Sequence, residues 1–133
     1  MRPAAPALAV IALLSTAALA QQSHVQVMSS PPSDAFTVTD YYKQNVYDPN
    51  DNKIGDIKDV LIDKSGQIKA LIIGVGGFVG VNEKDVAVPF DAVKSTTKDN
   101  KTYLVMNANK DELKNAAGLT YDRSSTKWVP EKR

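Results

Sequence analysis

Asp48, Asn50 and Asn52 stand at alternate positions, the spacing with which a calcium-binding loop opens. Hard oxygen donors suit that ion. The rest of such a loop is missing: its sixth position is Lys53 where a sharp turn needs glycine, and its twelfth is Asp59 where a bidentate glutamate belongs. The surrounding pattern is strand–turn–strand, and Asn, Asp and Pro clusters build turns. An ion held by Asp48, Asn50, Asn52 and Asp59 is therefore the alternative to a plain turn.

Three carboxylates, Asp56, Asp59 and Asp63, lie along one expected strand. Period two places Asp59 on the face of Ile57 and Leu61. Either the strand bulges near Lys58, or Asp59 points inward and needs partners. An inward carboxylate with a shifted pKa could do acid–base work, but catalysis needs a second convergent group, and none is identifiable. Asp59 and Asp63 are read as structural, bonded to nearby backbone amides. Glu83 and Asp85, flanking Lys84, read as solvated loop charges.

Gly74, Gly76, Gly77 and Gly80 bracket Phe78 and Val79. A dinucleotide fingerprint fails because Val79 stands where its third glycine belongs, and a strand follows instead of a helix. No Walker Lys-Ser/Thr pair is present. Phe78 and Val79 at a loop tip either fold back as a lid or insert into a partner. The partner-binding candidates are Gly76, Gly77, Phe78, Val79 and Glu83.

The 133 residues include 16 basic and 15 acidic side chains, one histidine and no cysteine. Disulfide scaffolds, thiolate metal sites, cysteine nucleophiles and an N-terminal lipidated cysteine are excluded. His24, alone in a polar stretch, excludes multi-histidine metal centres and leaves nucleophilic triads without a base. No Ser-x-x-Lys signature occurs with its companion motifs. Balanced charge and unclustered aromatics argue against nucleic acid. No enzyme activity and no cofactor are expected.

The elements must position these residues. Met1 to Ala20 reads as a signal peptide: Arg2, the apolar run from Ala7 to Leu14, and Ala18-Leu19-Ala20 before the cut. The apolar run is short of the roughly 20 residues of a spanning helix, so no lasting membrane span is expected. Residues 21–34 read as a disordered linker with adjacent Pro31 and Pro32. A domain is expected over 35–122, then a polar tail over 123–133. Short strands are expected at 46–48, 53–63, 67–75, 86–90 and 102–106, with a helical turn near 40–44. Gly66 supplies positive φ in a hairpin loop. The apolar run from Ala70 marks a central strand covered on both faces. Pro89 belongs at a strand end, an edge or a bulge. Asn109 with Glu112 forms a capping box for a short C-terminal helix. Gly55 and Gly74 are further structural positions. The fold class is mainly β, a small antiparallel barrel.

The segments IGD (Ile54 to Asp56), DVLID (Asp59 to Asp63), IIGVGGF (Ile72 to Phe78) and VAVPF (Val86 to Phe90) together resemble the PRC-barrel domain, named for the H subunit of the photosynthetic reaction centre and also found in a ribosome maturation factor. The resemblance covers roughly Ala35 to Asp122. Two positions depart from its pattern: Lys43-Gln44-Asn45 precedes the first strand where a glycine is usual, and Ala116-Ala117 replaces a closing Ala-Pro. The resemblance implies no catalytic residues and a role in docking or assembly. With the export signal, it gives the expectation of a bacterial periplasmic or secreted module that binds an unidentified envelope protein or a second copy of itself. A small-ligand or metal-ion binder of the envelope is the alternative.

Overall fold

The computed structural model describes residues 24–76 and 83–131. The expected signal peptide and Gly77, Phe78 and Val79 lie outside the described residues. Residues 24–33 belong to a unit separate from the one that begins at Asp34. They carry no helix or strand, and Val25 and Val27 are fully exposed to solvent. Among the described residues, no helix is long and apolar enough to cross a membrane.

The second unit opens with a 3₁₀ turn, Val38–Asp40, capped by the Thr37 hydroxyl, which accepts from the Asp40 amide. Among the described residues, eight strands follow: β1 Asn45–Tyr47, β2 Lys53–Ile62, β3 Ile68–Val75, β4 Lys84–Pro89, β5 Val93–Lys98, β6 Lys101–Met106, β7 Leu119–Asp122 and β8 Lys127–Pro130. Helix α1, Lys110–Lys114, lies between β6 and β7. The strands form one sheet in the order β5-β6-β1-β2-β3-β4-β7-β8. All pairings are antiparallel except β1 with β6.

The expected barrel is thus barrel-like in strand content, but its hydrogen bonding does not close. β7 meets β4 at one register pair, Asp85 with Leu119. The return to β2 is made by a side chain instead, Trp128 on Asp59.

β2, β3 and β4 form the centre. Directly paired residues share a face, so their rows can be read off the register. Gly55–Val75–Lys84, Ile57–Ile73–Val86 and Val60–Leu71–Val88 line the inner face. Asp56–Gly74–Asp85 and Asp59–Ile72–Ala87 line the outer face. Leu71, Ile72 and Ile73 are all fully buried, so β3 is covered on both sides, as its unbroken apolar run implies. The main core joins these inner residues to Val46 of β1, Val93 of β5, and Leu104 and Met106 of β6.

One irregularity makes this pattern work. The β2–β3 register skips Lys58: Ile57 pairs with Ile73, and Asp59 with Ile72. This bulge reverses the in–out parity of β2. Val60 turns inward and Asp59 outward, which resolves the conflict in the sequence.

Three strands lie where none was read. β5 has Val93 as its only strongly apolar residue, and its other positions are Lys, Ser and Thr. Its hairpin to β6 turns through Asp99 and Asn100, both at positive φ, the geometry of a two-residue type I′ turn. β7 and β8 are only four residues each, and β8 runs through the stretch expected to be a polar tail. Tyr121 and Trp128 are cross-strand partners with their rings edge to face, and such pairs stabilise short hairpins. The expected helical turn at 40–44 is instead the 3₁₀ turn two residues earlier. Pro89 ends β4, as its missing N–H requires.

Gly55 is fixed by a close approach: a Cβ there would lie 2.1 Å from the Gly74 carbonyl oxygen. Gly66 has φ 92° and open space around it. Gly55→Ala is therefore expected to cost on the order of 3 kcal/mol, the upper range of overpacking, while Gly66→Asn stays within about 1 kcal/mol because Asn tolerates the left-handed region. Urea midpoints of the two variants against wild type check this contrast.

Candidate functional site

The outer-face row Asp56–Gly74–Asp85 carries two carboxylates on either side of a glycine. The glycine leaves room, and the neighbours fill it. A Cβ on Gly74 would sit 2.6 Å from Lys58 Cε and 2.9 Å from Glu83 Oε2. The bulge residue Lys58 reaches across to Glu83 at 2.6 Å and lies 4.0 Å from Asp56. The Glu83 side chain is only 10% exposed. Three carboxylates thus gather around one ammonium.

The electrostatics follow from that count. Asp85 Oδ1 is sealed from solvent and has no hydrogen-bond partner among the described residues. Burial pushes the Asp85 carboxyl above the ordinary aspartate range, against the pull of Lys58. Burial does the same to Asp56, with Lys58 opposing and Glu83 adding to the rise. The hydrogen bond to Glu83 raises the Lys58 ammonium above its usual value. Glu83 and Asp85 are therefore members of a packed charge cluster, not the solvated loop charges that their sequence context suggests. No sequence signal marks this: the cluster exists because pairing across β2, β3 and β4 puts Gly74 between Asp56 and Asp85 and lets the bulged Lys58 reach Glu83.

The cluster stands at the base of the glycine-rich segment. A shallow cleft of about 120 Å³ opens beside it, lined by Gly55, Asp56, Gly74, Gly76, Glu83 and Lys110 among others. Gly76 has φ 83°, and the Lys114 stem of α1 packs where its side chain would be. Lys84 Nζ donates to the Lys114 carbonyl at 2.6 Å, tying β4 to the C-terminal end of α1. Asn109 caps the helix as expected, its Oδ1 accepting from the Glu112 amide, but Glu112 Oε1 accepts from the Asn109 side-chain Nδ2 and not from the cap's backbone amide, so the capping box is half formed. Of the five expected partner-binding residues, Gly76 and Glu83 are placed at this base, with the Glu83 carboxylate engaged by Lys58.

The candidate ion ligands are not brought together. Asp48 Oδ1 accepts from the amides of Asn50 and Asn52, and its Oδ2 accepts from Asn52 Nδ2. This is a self-contained Asx turn between β1 and β2. Asp59 lies six residues beyond Lys53 on β2, on the order of 20 Å at strand rise. Its Oδ1 accepts from the Val60 amide and its Oδ2 from Trp128 Nε1, each at 2.8 Å. Asp59 is thus a structural clasp, and its larger partner lies in the stretch read as a tail. Asp63 holds the β2–β3 turn by accepting from the amides of Ser65 and Gln67. Among the described residues, no group of three His, Cys, Asp or Glu side chains is arranged to hold a metal ion.

The family model described as PRC-barrel domain matches residues 33–113, more than half of the chain. The matched segment ends within α1, before β7 and β8. No curated protein matches the chain.

Two outcomes are expected. Trp128→Phe strands Asp59 Oδ2 and costs about 1–2 kcal/mol, read as a lower urea midpoint. Turn hydrogen bonds hold the exposed carboxyls of Asp48, Asp63 and Asp122 below the ordinary value of 3.8. Their contribution is complete above that value and is lost as pH falls below it, since the unfolded chain then binds protons more readily. Asp63→Ala should flatten the acid limb of a plot of Tm against pH.

Proposed function

The chain belongs to the PRC-barrel domain family, and on that basis we propose that it is a non-enzymatic docking or assembly module, exported to a bacterial periplasm or secreted. The observation that carries this reading is the end of the sheet where β3 meets β4. There the sheet is rigidly built: Gly55 packs on Gly74, Lys58 bonds Glu83, and Lys84 bonds the end of α1. A scaffold held by these contacts is suited to recognition through the apolar pair Phe78-Val79 that follows β3 in the sequence, because little order must be gained in the scaffold when a partner binds.

Phe78 and Val79 are the proposed anchors, with Gly76 and Gly77 at their N-terminal side and Glu83 at the rim. The partner is a protein of the cell envelope. Family membership supports docking over catalysis, because the resemblance brings no catalytic residues with it. The leader at 1–20, with its small-residue cleavage pattern, supports export.

The test is in-cell chemical crosslinking of the tagged protein with mass spectrometry of the captured species. Phe78→Ala with Val79→Ala is expected to abolish a reproducible partner adduct while leaving Tm within a few degrees of wild type. A variant that melts far below wild type would assign both residues to the core and remove the proposed site. Capture of a second copy alone would replace the foreign partner with self-association.

A further inference from the structure

We propose that Asp56, Glu83, Asp85 and Lys58 form a proton-binding site that sets the charge at the docking end of the sheet. The regulatory consequence rests on the docking reading; the proton site stands on the geometry alone. Asp56 and Asp85 flank Gly74 in one row of one face. Glu83 and Lys58 close over the glycine. With one ammonium among three carboxylates, two negative charges remain uncompensated when all are ionised. Water screens them poorly: Glu83 is nearly covered, and Asp85 Oδ1 is sealed and unpartnered among the described residues.

Like-charged carboxylates sharing a covered site resist ionising together. A buried acceptor without a donor is also costly. One proton relieves both costs, because it cancels a charge and supplies a donor between neighbouring carboxyls. The upward displacement of Asp56 and Asp85 agrees with this arrangement. The groups facing the cluster from adjoining elements are few. Lys53 lies on β2, Lys110 on α1 lines the cleft, and Lys84 is spent on the Lys114 carbonyl. Lys114 packs against Gly76, and Glu131 adds a further negative charge near Asp85. Because the three carboxyls interact, the proton belongs to the set and not to one residue.

Losing that proton makes the docking end more negative, which favours a basic partner surface at higher pH. The linkage has a definite sign. Between the ordinary value and the raised one, the folded chain binds more protons than the unfolded chain, so stability falls as pH rises through that interval.

Carboxyl-carbon NMR of the full chain, titrated from about pH 3 to about pH 8, tests the proposal. At least one of Asp56 and Asp85 should titrate above the usual carboxylate range of roughly 4. Asp85→Asn should bring Asp56 back toward that range and remove the fall of Tm with rising pH. If Asp85→Asn does not fold, Glu83→Gln is read in the same way. Asp56 and Asp85 midpoints both at or below about 4 overturn the proton site. That result leaves the docking reading standing, because the titration uses no partner. A raised midpoint with no crosslinked partner would do the reverse.

Discussion

A single extra residue in β2 sets the pattern of the sheet. With Lys58 bulged out, Ile57 and Val60 both face the core, where strict alternation would have put Asp59 there. Burying an aspartate without matched donors costs several kcal/mol. The bulge avoids that cost and places Asp56 and Asp59 on the same outer face. It also frees the Lys58 stem to cross Gly74 and meet Glu83. Core packing, the Asp59 clasp and the charge cluster are three consequences of one local irregularity.

The Asp59 clasp extends this logic beyond the family segment. The β7–β8 hairpin touches β4 at one register pair, too little to hold it by backbone bonds alone. Its second attachment is the Trp128 indole on Asp59. Asp59 also accepts from the Val60 amide, so one carboxylate joins the bulged stretch of β2 to the β7–β8 hairpin. Val60, Ile62, Tyr121 and Trp128 border the shallow seam that remains between hairpin and sheet.

Much of this was legible in the sequence, for identifiable reasons. The unbroken apolar run of β3 announces a strand covered on both faces. Asn109 with Glu112 marks the start of α1, and Gly66 marks the hairpin turn. The parity clash at Asp59 pointed to a bulge near Lys58 or an inward carboxylate, and the register decides for the bulge. What stayed hidden depends on non-local partners. β5 reads as polar because it is an edge strand with little to bury. β7 and β8 are too short for periodicity to register. Gly74, Glu83 and Asp85 become neighbours of Lys58 only through pairing across three strands, which spacing along the chain does not encode.

The proposed docking face is the end of the sheet where β3 meets β4. The most direct measurement is in-cell photo-crosslinking with a photoreactive residue placed at Lys110, beside the cleft, or at Lys64, in the turn at the far end of β3. Both positions are exposed, so accessibility does not decide the outcome. The account predicts a discrete partner adduct from position 110 and none from position 64. An adduct from position 64 with none from position 110 would contradict it.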